Sequence, residues 1–159
     1  MELEAKGEVR IAKPAAAVFE AIVDPARMSG YFISSGSGRL ETGKTVQWTW
    51  GDVGAQAPVQ VLEVVKDRRV SLTWGPPEQG SRVDLVLVPE SPDATAVEVT
   101  EGRWPSDDAG IERLAGQTFG WAHFLLCLKA YLEHGINLRT GSITKKHLER
   151  IAGTRPQRD

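Results

Sequence analysis

The sequence predicts an α+β fold in which a curved antiparallel sheet of six to seven strands wraps around one long C-terminal helix. The first observation is the stretch 106–135, where apolar residues recur every three or four positions, as on one face of a helix. Ser106 is a suitable N-cap, and Gly135 stands where such a helix would end. The second observation is that segments before residue 105 alternate apolar and polar residues, as strands do. The third is the length of 159 residues, which fits one domain.

Two short helices are predicted directly after a first strand over residues 3–11. Pro14 lies in the first turn of the first helix, where its missing N–H costs little. The apolar side chains on the buried face of this helix are Val18, Phe19 and Ile22. Asp24 then caps a second short helix, which extends from Pro25 to about residue 32. The two helices form one bent unit between strands.

Six further strands are predicted as a series of antiparallel hairpins before the long helix. They cover residues 38–41, 44–52, 56–66, 69–75, 81–88 and 94–103. A flexible Gly/Ser-rich loop is expected at 34–38, and the prolines at 76–77 must interrupt the sheet because proline cannot donate to the ladder. Helices segregated from an antiparallel sheet define the α+β class. A curved sheet that holds one long helix is the helix-grip fold.

The long helix is predicted to face the sheet with one apolar stripe. That stripe consists of Ile111, Leu114, Thr118, Trp121, Leu125, Leu128 and Leu132. The helix closes a single domain over residues 1–138, and residues 139–159 form a C-terminal extension. In this extension we expect a short helix at about 143–152 that docks on the body, followed by a frayed end.

Composition excludes several classes of function. The net charge of −2 offers no overall attraction to nucleic acid or to anionic lipid. No apolar run approaches the roughly 20 residues that a membrane-spanning helix needs, and the N-terminus has no signal-peptide pattern. The single cysteine, Cys127, excludes an intrachain disulfide, so we expect a cytoplasmic protein.

Three segments resemble a known superfamily. The first contains Lys13-Pro14, Val18-Phe19, Ala21-Ile22 and Asp24-Pro25. The second is 43–50, GKTVQWTW, and the third is 120–135, GWAHFLLCLKAYLEHG. In order and spacing they resemble the SRPBCC superfamily of START-like and Bet v allergen-like proteins, in the AHSA-type branch named after the activator of the Hsp90 ATPase. The resemblance covers about residues 5–138. It implies a deep cavity between sheet and long helix, often with an apolar ligand, and no universal catalytic motif.

The inward positions of the strands and the long helix predict the lining of that cavity. The predicted ligand-binding residues are Phe32, Trp48, Trp50, Leu72, Trp74, Leu85, Val97, Val99, Glu101, Leu114, Trp121, Leu125 and Leu128. Phe32 and Tyr31 are expected at the mouth, where they would act as a gate. The alternative is that the tryptophans simply fill the core, and one ring can do both.

Glu101 shares the strand face of Val97 and Val99. An inward carboxylate in an apolar pocket could hold the polar end of a ligand. The favoured alternative is that Glu101 lies near the strand end, reaches solvent and pairs with Arg82 or Arg103.

His123 and Cys127 are four residues apart, as two metal ligands on a helix can be, but the sequence offers no third ligand. We therefore predict no metal, no cofactor and no catalytic residue. Phe119 and Leu126 lie off the inward stripe. Either the C-terminal segment covers them, or a second copy or partner protein does.

The sequence leaves three functional hypotheses. The preferred one is a protein that binds a small hydrophobic or lipid-like ligand. The second is an interaction or co-chaperone module that uses the Phe119 and Leu126 side of the helix. The third is a cavity enzyme of the cyclase or hydrolase type, with Glu101 and Tyr31 as its only candidate groups.

Overall fold

The architecture is a seven-stranded antiparallel sheet that packs against one long helix. The computed structural model describes residues 1–75 and 80–146. In chain order its elements are β1 (Glu2–Ile11), α1 (Ala15–Val23), α2 (Pro25–Met28), β2 (Ser35–Gly36), β3 (Thr45–Trp50), β4 (Ala55–Val65), β5 (Arg69–Trp74), β6 (Ser81–Ser91), β7 (Ala94–Pro105) and α3 (Asp108–His134). The strands lie in the order β1-β7-β6-β5-β4-β3-β2, and each neighbouring pair is antiparallel. The predicted α+β, helix-grip class is confirmed.

The long helix α3 is capped at both ends. Its N-cap is Asp107, whose carboxylate accepts a hydrogen bond of 2.8 Å from Gly110 N–H. The predicted N-cap, Ser106, is therefore wrong by one residue, because Asp107 has the extended backbone and the side-chain acceptor. The C-terminal end is where the sequence predicted it, since Gly135 adopts the left-handed conformation at φ 66°.

The core lies between the sheet and the helices. Strand alternation buries Val46, Trp48 and Trp50 on β3, and Val83, Leu85 and Leu87 on β6. From α3 the core receives Trp121, Phe124, Leu125, Cys127 and Leu128. Burial is thus concentrated in the C-terminal half of α3, and Ile111 and Thr118 of the predicted stripe are exposed. The N-terminal half approaches the sheet through Leu114 and Gln117, which are only half-buried.

The connection between α2 and β3 differs from the prediction. Helix α2 ends at Met28, and β2 lies at Ser35–Gly36, inside the segment predicted as a loop. The segment pairs with β3 because Ser34 N–H donates to the Thr49 carbonyl. Residues 38–41 form no strand, since Leu40 N–H donates instead to the Val23 carbonyl at the end of α1.

The chain after α3 docks through residues 137–142. The Arg139 guanidinium is buried and bonds to the Asp52 carboxylate, with 3.0 Å between Nη1 and Oδ2. Ser142 Oγ lies 3.1 Å from His123 Nε2 on α3. The predicted helix over 143–152 extends outside the described residues, and so does the predicted frayed end. None of the helices in residues 1–75 and 80–146 combines the length and hydropathy that a membrane span requires.

Candidate functional site

Six aromatic rings meet between the sheet and α3, and we call them the aromatic cluster. They are Phe32, Trp48, Trp50, Trp74, Trp121 and Phe124. Strand β3 supplies two of them, the end of β5 one, α3 two, and the loop after α2 one. Most contacts are edge-to-face, with ring centroids 4.8 Å apart for Phe32 and Phe124 and 5.2 Å for Trp121 and Phe124. Aromatic pairs prefer this geometry because the positive ring edge meets the negative ring face.

The predicted lining residues are brought together, but their own rings occupy much of the space between them. Trp48 and Trp121 are almost fully buried, while Phe32 and Trp74 are half-buried. The remaining apolar members of the predicted set, Leu72, Leu85, Val97, Val99, Leu125 and Leu128, are buried in the same core. Leu114 is half-buried and lies outside that core cluster. This packing corresponds to the core-filling alternative, in which the rings serve the fold whether or not they also contact a ligand.

Glu101 is buried at one end of the aromatic cluster, with 1% of its surface exposed. Its Oε1 accepts hydrogen bonds from Trp121 Nε1 at 2.8 Å and from Gln117 Nε2 at 2.7 Å. Its Oε2 accepts from Ser81 Oγ at 2.5 Å and from Trp74 Nε1 at 3.5 Å. Indole and amide N–H groups only donate. The Glu101 carboxylate is therefore held as an acceptor by four neutral donors.

The favoured sequence interpretation of Glu101, in which it reaches solvent and pairs with arginine, is wrong. Arg82 bonds instead to Asp84, with 3.0 Å between Nε and Oδ2. Arg103 is exposed and has a positive φ of 79°. Strand β7 becomes irregular only at Gly102, whose φ is 145°. Because this position comes after Glu101, the regular alternation still holds at Glu101, and its side chain points inward like those of Val97 and Val99.

Sequence reasoning missed three residues of this site: Ser81, Gln117 and Phe124. Gln117 precedes Trp121 by four residues, so both lie on the same face of α3. Ser81 is the β6 residue opposite Trp74 on β5. Phe124 follows Trp121 by three residues, and this spacing was the available signal.

A cleft of about 380 Å³ lies beside the aromatic cluster. Its walls come from the loop after α2, the turn between β3 and β4, and the segment after α3. The residues are Ser29, Phe32, Ile33, Ser34, Gly51, Asp52, Asn137, Arg139 and Thr140. Phe32 lines this cleft and also contacts Trp50 and Phe124 of the cluster. Its side chain thus lies between the cleft and the interior.

Tyr31 does not lie at the mouth. Its side chain is fully buried, and its hydroxyl donates to the Ala21 carbonyl at 2.8 Å. Burial, with a smaller effect of the neighbouring Tyr131, raises the pKa of Tyr31 well above its ordinary value. The expectation that Tyr31 shares a gate with Phe32 is therefore wrong. The Tyr31 hydroxyl instead holds α1 through its hydrogen bond to the Ala21 carbonyl.

A second groove, of about 430 Å³, is lined by residues of α1, of the segment before β3 and of β4. The ion pair between Glu20 and Arg39 lies at this groove, with 2.6 Å between Oε1 and Nη2. It shares no residue with the aromatic cluster or with Glu101. The groove therefore gives no support to the predicted site.

His123 and Cys127 lie close together, with Sγ 3.8 Å from Nε2. Residues 1–75 and 80–146 contain no group of three His, Cys, Asp or Glu side chains placed to hold a metal ion. Burial raises the pKa of the Cys127 thiol, which disfavours the thiolate that a nucleophile or metal ligand needs.

Three large apolar side chains project from the outer side of α3, and we call them the apolar face. Ile111, Phe119 and Leu126 are 55%, 58% and 57% exposed. Ala115 and Ala122 lie between them on the same side of the helix and are also exposed. This face is separate from the aromatic cluster.

Comparison with solved structures identifies relatives of the whole fold. The protein SSP2350 from Staphylococcus saprophyticus is 30% identical, with a TM-score of 0.76, over 87% of this chain and 97% of that chain. The Aha1 dimer from Colwellia psychrerythraea is 21% identical, with a TM-score of 0.72, over 84% of this chain and 98% of that chain. A START superfamily protein from Mycobacterium smegmatis is 16% identical, with a TM-score of 0.61, over 82% and 97%. The last two comparisons support the fold alone.

No curated protein matched the sequence. A family model, described as activator of Hsp90 ATPase homolog 1-like protein, matches residues 12–133. This range includes α1, every strand after β1, and α3 to within one residue of its end. The chain therefore belongs to the family of activator of Hsp90 ATPase homolog 1-like proteins.

Proposed function

We propose that the protein binds a small, largely apolar ligand at the aromatic cluster, between the sheet and α3. The observation that carries this proposal is the buried carboxylate of Glu101 among the rings. Desolvation of a carboxylate is costly, and a well-packed apolar side chain of similar size is often as stabilising or more so. Buried ionisable groups in apolar surroundings are frequent at functional sites. An aromatic cluster with such a group at one end is suited to an apolar molecule that has one polar end.

Phe32 is the residue that we propose to control access. It lies on the loop after α2, so its ring can move without displacing a strand. It contacts the cluster on one side and the cleft on the other. If its ring turned aside, the cleft would join the space that the ring occupies, and a ligand could then lie against Trp50 and Phe124.

Titration with the neutral fluorescent probe N-phenyl-1-naphthylamine tests this proposal. We expect saturable binding of one probe per chain, and tighter binding to Phe32→Ala, in which the cleft and the cluster are joined. Phe119→Ala is the matched control, because it also removes a phenyl ring, but from the apolar face. If folded wild type and folded Phe32→Ala both leave the probe unbound, the proposal fails. If the probe binds, denaturing extraction of protein purified without detergent would then identify the class of any natural ligand.

A second candidate function, favoured by the apolar face, is interaction with another protein. Contiguous exposed apolar groups often mark interaction sites. One structural neighbour is described as a dimer, and the family is named for an activator of a chaperone. For this chain we favour a second copy as the occupant of the face.

A further inference from the structure

We infer that the ligand of the aromatic cluster presents a hydrogen-bond donor, such as a hydroxyl or an amine, to Glu101, and that carboxylates and similar anions are excluded. This inference rests on the proposed ligand-binding function and specifies the chemical class of the ligand. It follows from the four donors around Glu101, from their different exposure, and from their lack of charge.

The Glu101 carboxylate can only accept in this arrangement. Both oxygens face N–H groups that cannot accept, namely those of Trp74, Trp121 and Gln117. A ligand group that reaches Glu101 must therefore bring a proton of its own. An ether or ketone oxygen in the place of the Gln117 amide would leave the carboxylate one donor short, which is costly at a buried position.

One of the four donors can leave its place. Ser81 and Trp121 are buried, so their hydrogen bonds to Glu101 are enclosed by the core. Gln117 is half-buried and lies between the exposed Gly116 and Thr118, in the half of α3 that is least packed. Its amide can turn to solvent and make the same hydrogen bonds to water. A hydroxyl or amine on the ligand would then take its place on Oε1 of Glu101.

Charge determines which polar ends are excluded. The four donors to Glu101 are neutral, so none of them carries a positive charge to offset the carboxylate. A second negative charge close to Glu101 would be repelled more strongly there than in water, because the surroundings are apolar. A hydroxyl or an ammonium group meets no such penalty. This separates the inference from a purely structural role for Glu101, which would impose no preference on a ligand.

Three probes that have the same naphthalene ring system and differ only in their 2-substituent test the inference. We would measure the dissociation constants of 2-naphthol, which donates, of 2-methoxynaphthalene, which only accepts, and of 2-naphthoate, which is anionic. From the usual strength of a hydrogen bond to a charged group, we expect 2-naphthol to bind at least about tenfold more tightly than 2-methoxynaphthalene. We expect still weaker binding of 2-naphthoate. In Glu101→Gln the dissociation constants of 2-naphthol and 2-methoxynaphthalene should lie within about threefold of each other, since the acceptor is no longer charged. Glu98→Gln, an exposed change on the same strand, should keep the wild-type order.

The outcomes distinguish failure of this inference alone from failure of the proposed ligand-binding function. Equal binding of all three probes to the wild type would overturn the inference and leave the ligand site standing. Failure of all three probes to bind would overturn both. If Glu101→Gln does not fold, Gln117→Ala decides, because removal of the competing amide should tighten the binding of 2-naphthol. Weaker binding of 2-naphthol to Gln117→Ala would overturn the inference.

Discussion

Glu101 shows how a single side chain can link stability to the proposed function. Its carboxylate satisfies the indole N–H groups of Trp74 and Trp121 and the amide of Gln117, and so orients rings that come from a strand and a helix. Without this acceptor the buried donors, Trp121 Nε1 and Ser81 Oγ, would remain unpaired. The cost of such groups is about 1–3 kcal/mol each, which makes the contribution of Glu101 measurable.

We predict that Glu101→Ala lowers the free energy of unfolding by about 3 kcal/mol, because it leaves buried donors unpaired and opens a cavity. Glu98→Ala, on the same strand but exposed, should change it by no more than about 0.5 kcal/mol. Urea unfolding followed by circular dichroism measures both values. Equal effects of the two substitutions would contradict the hydrogen-bond network described for Glu101.

Tyr31 makes stability depend on alkaline pH. Burial raises its pKa in the folded protein well above the value of about 10 that it has in an unfolded chain. Its contribution is therefore complete below about pH 10 and is lost as the pH rises above that value, where only the unfolded chain can ionise. Tyr31→Phe should flatten this alkaline loss. It should also cost about 1 kcal/mol at neutral pH, through the lost bond to the Ala21 carbonyl.

Unfolding free energies of the wild type and Tyr31→Phe, measured at about pH 8 and about pH 11, check this expectation. Tyr131→Phe is the matched control, since it removes the other tyrosine of the chain. An alkaline loss of equal size in the wild type and in Tyr31→Phe would show that Tyr31 is not its source.

At the scale of elements, the two glycines near the start of α3 have opposite requirements. Gly110 is buried, and a Cβ there would lie 1.8 Å from the Pro105 carbonyl oxygen. A Cβ at Gly116 would meet no atom within 4 Å. At position 110 the close turn into the helix requires glycine. At position 116 glycine only lowers the helix propensity.

We therefore predict that Gly116→Ala stabilises the protein by about 1 kcal/mol and that Gly110→Ala destabilises it by more than that. Thermal unfolding of the two variants beside the wild type measures the difference. Stabilisation by both substitutions would contradict the close approach of Gly110 to Pro105.

Sequence reasoning succeeded for elements with strong periodicity and failed where tertiary contacts decide. The alternation along β3 and the glycine at the end of α3 are local signals, and both predicted the structure correctly. The position of β2 depends on hydrogen bonds from Ser34 to Thr49, which lie 15 residues apart and leave no local pattern. The exposed N-terminal half of α3 was missed because Ile111 continues the apolar periodicity without packing on the sheet.

At the scale of the whole molecule, strand direction predicted which residues meet but not how they pack. Trp48, Trp50 and Trp121 were correctly expected to point inward from β3 and α3. Whether inward rings enclose a space or fill it depends on the separation of sheet and helix. That separation is set by all the side chains between them, so no single segment encodes it. The same holds for Glu101, whose burial depends on donors from three other elements.

The apolar face has a spacing that suits contact with a second copy of the chain. Ile111 precedes Phe119 by eight residues, and Leu126 follows it by seven, so the row is nearly symmetric about Phe119. If two α3 helices pack antiparallel about a two-fold axis at this point, Ile111 of one copy meets Leu126 of the other. Ala115 then faces Ala122, which permits close approach of the helices. Self-complementarity of this kind is what a two-fold interface requires.

We predict that the wild type sediments as a dimer of the 17.4 kDa chain and that Leu126→Glu is a monomer, because the change places a charge at both ends of the symmetric contact. Val88→Glu, an equivalent change at a 40% exposed position on β6, should leave the dimer intact. Sedimentation equilibrium measures the three masses, and circular dichroism confirms that each variant is folded. A monomeric wild type at every concentration tested would remove the second copy as the occupant of the apolar face. Loss of the dimer in Val88→Glu would place the interface on the sheet instead, because that residue lies outside α3.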